Sequence, residues 1–233
     1  MLVRTWNVFH GNAVPPRRRG FLREMVELVA ADRPDLVFLQ EVPVWALKHL
    51  ERWSGMQAVG AVAAQPRLWS AELGRWITEL HHGLFRSAVT GQANAILVSR
   101  RFTVSEERTL IVSTFGERRV AQGLRLGGSI FVANVHVTGG VYADEQFRLA
   151  ADFVEGQENE EAILGGDFNL RPGEGKTYEL LRSRRFSEPL PGSIDQILVR
   201  ALPATPRVAW PEERRRIGGV LLSDHAPVEL TVG

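Results

Sequence analysis

Within residues 2–39 the spacing of apolar residues changes twice, and that change constrains the fold more than any other feature of the sequence. Residues 2–8 read as a strand that ends at Asn7, after which Gly11, Asn12 and the Pro15-Pro16 pair mark a loop. From Arg17 to Ala31 the residues Phe21, Leu22, Met25, Val26, Leu28 and Val29 recur at helical spacing, until Asp32-Arg33-Pro34 stops the pattern. Leu36-Val37-Phe38-Leu39 is then a continuous apolar run, the pattern of a strand buried on both faces. Strand, helix and strand follow in that order and deliver Glu41 just past a strand end.

The remainder interleaves in the same way. Leu68, Trp69, Leu73, Trp76, Ile77 and Leu80 outline an amphipathic stretch, and residues 95–98, 109–112 and 130–137 read as strands. Residues 144–154 and 177–185 read as helices, and 162–164, 194–199 and 228–232 as further strands. No linker, repeat or low-complexity segment divides the chain. An α/β class with packed layers follows, in a single domain spanning residues 1–233. Hydrophobic residues at 44% supply enough apolar surface for a core and argue against disorder. No apolar run approaches the roughly 18 residues a membrane span needs, and the N-terminus carries no signal-peptide pattern, so a cytoplasmic location is expected. With no cysteine in the chain, disulfides, thiolate zinc sites and cysteine nucleophiles are excluded. Any metal must be held by oxygen or imidazole.

A net charge of +1 argues against a protein that coats nucleic acid, but leaves room for a local basic patch. Of 28 basic residues only Lys48 and Lys176 are lysine; a guanidinium bias suits phosphate binding and equally suits a GC-rich genome. More informative is where polar residues fall. Asn7, Glu41, His136, Asp167 with Asn169, Asp195, and Asp224 with His225 all sit directly beside apolar strands rather than in polar loops. Taken singly, each reads as a turn or helix cap. If the strand ends lie on one edge, all of them converge on one crevice, where open α/β sheets place ligands.

The motifs around these residues, in order, resemble the endonuclease/exonuclease/phosphatase superfamily of magnesium-dependent phosphodiesterases and phosphomonoesterases. Thr5-Trp6-Asn7-Val8 is similar to its first strand, Pro34 to Glu41 to the segment carrying its metal glutamate, and Asn134-Val135-His136-Val137 to its central histidine. Gly166-Asp167-Phe168-Asn169 resembles its catalytic Asp and Asn, Ser193-Ile194-Asp195-Gln196-Ile197 its next aspartate, and Ser223-Asp224-His225-Ala226-Pro227-Val228 its closing motif. The resemblance implies two packed mixed β-sheets flanked by helices, a four-layer sandwich.

It also implies roles. Phosphate-ester hydrolysis needs an activated water, counter-charge for the phosphoryl oxygens and help for the leaving oxygen. By resemblance, Glu41 ligates Mg2+ or Mn2+, Asn7 supplies an amide oxygen directly or through water, and Asp224 joins if its loop comes near. Asp167 is the general base, Asn169 orients the water or a phosphoryl oxygen, and His225, partnered by Asp195, faces the scissile phosphate. His136 donates a second hydrogen bond to that phosphate, and its own partner stays open, with Glu72 and Glu79 as options.

The expected substrate is a phosphodiester, foremost DNA or RNA, which arginine clusters at 17–19, 118–119, 184–185 and 214–216 could grip and Trp210 could stack on. Each cluster also reads as solvated surface, and Trp210 as packing. Phosphatase or phospholipase-like action on inositol phosphates, phospholipids or nucleotides is the alternative, and a non-catalytic nucleic-acid-binding module a further one. Phe9-His10 replaces the acidic residue that abasic-site repair members carry after the strand Asn. His10 is a rim contact or structural, His49 structural, and His81 and His82 surface residues. Gly173-Glu174-Gly175-Lys176-Thr177 ends like a phosphate loop, but Leu170 stands where its first glycine is required, so it reads as a loop and helix start. No G-x-S-x-G elbow is present.

Overall fold

The computed structural model describes residues 1–65, 90–113, 116–157 and 160–233. The amphipathic stretch expected at residues 68–80, together with Glu72, Glu79, His81 and His82, lies outside them. One sheet contains, from edge to edge, β11 (Val208–Ala209), β14 (Val228–Thr231), β1 (Leu2–Asn7), β3 (Leu36–Val42), β5 (Gln92–Val98) and β4 (Gln57–Ala64). The second runs β10 (Asp195–Arg200), β9 (Ala162–Asp167), β8 (Ile130–His136), β7 (Arg119–Leu126) and β6 (Val104–Ser113). Short strands β12 (Arg216–Ile217), β13 (Val220–Leu222) and β2 (Ala13–Val14) form a third. Helices α1 (Leu22–Ala30), α2 (Leu50–Ser54), α3 (Ala143–Glu155) and α4 (Thr177–Ser183), with short 3-10 helices at Phe9–Gly11, Val44–His49 and Glu212–Arg215, complete the described elements.

Each large sheet is built around a parallel pair. β1 and β3 are parallel and joined through α1, while β8 and β9 are parallel and joined through α3. All other pairings within the two sheets are antiparallel. The apolar clusters give the layer order. Met25, Val26 and Val29 of α1 pack with Val37 and Leu39 on one face of the first sheet. Phe38, Ile96, Val132, Ile163, Ile197 and Leu230 fill the space between the sheets. Phe147 and Ala151 of α3 and Leu181 of α4 cover Ala133 and Leu164 on the outer face of the second. The layers are therefore helix, sheet, sheet, helix. Leu36 and Phe38 face one core while Val37 and Leu39 face another, which is why this strand is apolar at every position.

Two glycines near one end each permit a close approach, Gly165 between the two sheets and Gly166 between the neighbouring strands β9 and β8 of the second sheet. Gly165 lies under the Phe38 ring, and a Cβ there would fall 2.5 Å from the ring carbon Cδ2. Gly166 has φ +141° and would place a Cβ 1.9 Å from the Val135 carbonyl oxygen. Above this close approach, Asn134 of β8 is fully buried and donates to the carbonyls of Leu39 (2.9 Å) and Ala95 (3.0 Å). It accepts from Gln40 Nε2 at 2.8 Å, and Gln40 also donates to Thr5 Oγ1.

Several expected elements shift. The first helix begins at Leu22 rather than Arg17, because residues 15–20 form an exposed loop carrying the arginine triplet. β7 breaks its apolar pattern with Gln122, Gly123 and Arg125, and β4 is largely Ala and Gly, so neither strand shows in the residue pattern. Among the described residues no helix is long and apolar enough to cross a membrane.

Replacing Asn134 by Leu removes donors from two buried carbonyls and the acceptor of Gln40. Stability should fall by about 2–4 kcal/mol in urea unfolding, from the cost of leaving buried polar groups unsatisfied. A loss below about 1 kcal/mol would mean the bridge between the sheets is dispensable.

Candidate active site

Strand periodicity builds the site. Along β8 the residues facing the other sheet are Val132, Asn134 and His136; along β9 they are Ile163, Gly165 and Asp167; along β10 they are Val199, Ile197 and Asp195. The last position of each row is polar and ionisable. His136 pairs in register with Asp167, and Asp167 with Asp195, so the three occupy one rung. β10 runs antiparallel to β9, so Asp195 opens its strand at the edge where Asp167 closes its own. On the facing sheet Asn7 closes β1 opposite Gln40. Asn7 Nδ2 donates to Asp167 Oδ2 at 3.0 Å across the sheets.

Glu41 lies within β3 rather than past its end. Simple alternation would turn it away from Gln40. Its backbone instead adopts φ +55° beside a register shift between Leu39 and Val42, and a bulge of this kind re-aims a side chain. Its carboxylate consequently lies 3.8 Å from His136 Nε2 and 3.5 Å from His10 Nε2. Phe9, His10, Asn169 and Ser223 also have positive φ, so the segments bearing Asn7, Asp167 and Asp224 turn through the left-handed region as well.

Asp224 and His225 come from the loop before β14. The Ser223 hydroxyl donates to the Asn7 carbonyl (2.7 Å), Trp6 Nε1 to the His225 carbonyl (3.0 Å) and Arg215 Nη1 to the Ser223 carbonyl (2.8 Å). His225 Nδ1 is then 2.8 Å from Asp195 Oδ2, and its Nε2 is 3.8 Å from Asp167 Oδ2. Asp167 Oδ1 accepts the Asn169 backbone N–H at 3.0 Å, and Asn169 Nδ2 donates to the Val137 carbonyl at 2.9 Å. Asp224 is exposed at the rim, within 3.4 Å of the Ser223 hydroxyl.

The electrostatics follow from burial. Burial raises the Glu41 carboxyl above its usual range, against the pull of Asn7 and Arg119. Burial and the Asp195 charge push Asp167 up to about 7, opposed by His225, Asn7 and Asn169. Burial likewise raises Asp195. Burial alone would lower the His225 imidazole, but the hydrogen bond with Asp195 and the charges of Asp195, Asp167 and Asp224 outweigh it and hold it at about 10. His136 is fully enclosed, and burial together with the Arg119 charge drives it well below its ordinary value. All three carboxyls, the enclosed aspartates and the half-buried Glu41, are thus displaced upward chiefly by desolvation.

The remaining sequence candidates divide. His10 is buried against Glu41. Trp210 is buried beside Trp6 with the guanidinium of Arg214 over its ring, so it packs rather than stacks on a base. Arg214 pairs with Asp32 and Glu229, Arg216 pairs with Glu212, and Arg215 is buried holding the closing loop. That cluster is structural. His49 stacks on Trp53 with 5.3 Å between ring centroids. Asp144 accepts the backbone N–H groups of Lys176 and Thr177, which makes residues 173–177 a loop and helix start. Gln92 and Arg119 went unforeseen: both are buried and both contact His136 Nδ1. Arg119 had been read only within the Arg118-Arg119 pair, as a phosphate grip or as solvated surface, not as a partner of His136.

The sequence matches the profile of the Endonuclease/Exonuclease/phosphatase family over residues 5–225. No curated protein matches it. Solved structures similar to it include an endonuclease/exonuclease/phosphatase from Beutenbergia cavernae (TM-score 0.71, 16% identity, 100% of this chain and 72% of that one). A mannosyl-6-phosphatase from Bacteroides thetaiotaomicron is similar over 100% of this chain and 99% of that chain, with TM-score 0.67 and 16% identity. TDP2 from Caenorhabditis elegans has TM-score 0.61 and 19% identity, over 100% of this chain and 74% of that chain.

Asp195→Asn removes the charge that sustains the His225 imidazolium. An NMR titration should move the His225 midpoint from about 10 towards the ordinary value of about 6.5. An unchanged midpoint would show that Asp195 is not its partner.

Proposed function

This chain belongs to the endonuclease/exonuclease/phosphatase family, and from that membership we propose that it is a divalent-metal-dependent phosphoesterase that hydrolyses phosphodiester bonds in nucleic acid. The observation that carries the reading is the meeting of Glu41, Asp167 and the Asp195–His225 pair at one edge of two packed sheets, with Asn7 bonded to Asp167 across the gap. The donors fit a hard cation. They are carboxylate and amide oxygens with neighbouring imidazoles, and the raised carboxyls are those a cation would relieve. Glu41 and Asn7 would hold Mg2+ or Mn2+, with Asp224 approaching from the rim; bound there, the ion supplies charge to the phosphoryl oxygens. Asp195 and His225 are already bonded to each other at 2.8 Å and serve instead as a proton-holding pair.

The chain's own residues then divide the work. Asp167, pushed up to about 7, accepts a proton from the attacking water near neutral pH. Asn169 fixes the Asp167 carboxylate through its backbone N–H and orients the water with its carboxamide. His225, kept protonated by Asp195, donates from Nε2 to the phosphoryl or leaving oxygen. His136 donates a second hydrogen bond from the other side of Asp167. For the substrate, Arg17 and Arg18 on the loop before α1 and Arg118 beside Arg119 are exposed, and would meet a polyphosphate backbone.

The test offers DNA, RNA, a chromogenic phosphodiester, inositol phosphates and a hexose 6-phosphate with Mg2+ or Mn2+. Cleavage of the nucleic acid is expected, with loss on chelation by EDTA. Asp167→Asn should lower kcat by roughly 10²–10⁴-fold, the usual weight of a general base, while the thermal transition stays in place. Preferential hydrolysis of the sugar phosphate would move the substrate to phosphomonoesters, as the name of the Bacteroides protein suggests. No cleavage of any substrate with either ion would end the reading.

A further inference from the structure

Arg119 is enclosed between the sheets and the loop after β8, and its guanidinium is spent on this end of the site. Nη2 donates to Glu117 Oε2 at 3.0 Å and Nη1 reaches His136 Nδ1 at 2.7 Å. Gln92 completes the cluster with its amide nitrogen donating to Glu117 Oε1 (2.6 Å) and its oxygen accepting from Arg119 Nη1 (2.6 Å). A guanidinium has N–H donors and no acceptor. At 2.7 Å it can meet an imidazole nitrogen only through that nitrogen's lone pair. The opposite ring nitrogen, Nε2, faces the carboxylate oxygens of Asp167 at 3.5 Å and Glu41 at 3.8 Å, which are acceptors.

We propose that Arg119 is a positioning residue that locks His136 in the Nε2–H tautomer and aims that hydrogen at the place where the substrate's phosphoryl oxygen sits. This rests on the phosphoesterase reading for the identity of the acceptor, though the tautomer stands on the Arg119 contact alone. The two site histidines thereby receive opposite partners. His225 has a carboxylate at Nδ1 and is held as a charged donor, whereas His136 has a guanidinium at Nδ1 and is held as a neutral one. His136 therefore serves as a fixed hydrogen-bond donor and not as a proton-transfer acid. The competing arrangement has Nδ1–H donating to the Gln92 oxygen 2.9 Å away; it would bring an N–H of the guanidinium against an N–H of the ring.

Two-bond 1H–15N correlation spectra of the full-length chain labelled at its six histidines separate the tautomers without any substrate, the His136 signals being assigned by their loss in His136→Gln. The expected spectrum shows His136 with an unprotonated Nδ1 and a protonated Nε2. In Arg119→Met the tautomers should mix and kcat should fall roughly 10- to 100-fold, the usual cost of losing a residue that orients a site imidazole, with KM little changed. A protonated Nδ1 in the wild-type chain overturns the inference even if Arg119→Met fails to fold, and so does an Arg119→Met variant that keeps both tautomer and kcat. If the tautomer is as stated but no phosphate ester is hydrolysed, it is the functional reading that fails.

Discussion

The hydrogen bond from Gln40 to Asn134, 2.8 Å long and fully buried between the sheets, is the constraint on which the rest depends. Two apolar sheet faces can slide over one another at little cost, since hydrophobic contact is not directional. A buried amide pair cannot, because any slip leaves polar groups without partners. Glu41 directly follows Gln40, and His136 lies two residues beyond Asn134 on the same face. The bond that fixes the sheets therefore sits one layer beneath the site. Gly165 allows the close approach under Phe38, and Asn7 to Asp167 is the corresponding bond in the layer above.

What converges there is an uneven distribution of charge. Asp167 and Asp195 are buried and Glu41 is half-buried at the edge; desolvation raises all three carboxyls, opposed among the described side chains by the charges of His225, Arg119 and Arg215. In the proposed mechanism Asp195 keeps His225 a charged donor, while burial, with the Arg119 guanidinium beside it, keeps His136 neutral. On that proposal two chemically identical side chains differ in role through what touches their Nδ1 atoms. The exposed edge leaves Glu41 and Asp224 facing outward, where a cation and a phosphate would arrive.

Much of this was legible in the sequence because strand ends were. Asn7, His136 and Asp167 each close an apolar strand, and a polar residue ending such a strand is visible without knowledge of its neighbours. The order of motifs around them carried the family and with it the two-sheet fold, which the family match and the similar solved structures bear out. The parts that stayed hidden depend on contacts between distant segments. Gln40 and Asn134 drew notice only as members of the motifs around Glu41 and His136, and only the facing sheets show that they satisfy each other. Arg119 was read as a phosphate grip or as surface charge, because an arginine pair carries no mark of burial. Glu41 was expected past the end of its strand because a bulge leaves no trace in apolar spacing. Arg214, Arg215 and Arg216 drew attention by adjacency to the closing motif, yet their partners are Asp32, Glu229, Glu212 and backbone carbonyls.

If the strand ends form one cation-binding phosphoesterase centre, the position of a bound ion reports it directly. Diffraction at the manganese absorption edge from crystals soaked in Mn2+ should give an anomalous peak touching the Glu41 carboxylate, on the side of Asp167 and Asn7, and the peak should vanish in Glu41→Gln. An ion lodged away from these residues, or a site that stays empty at saturating Mn2+, would contradict it.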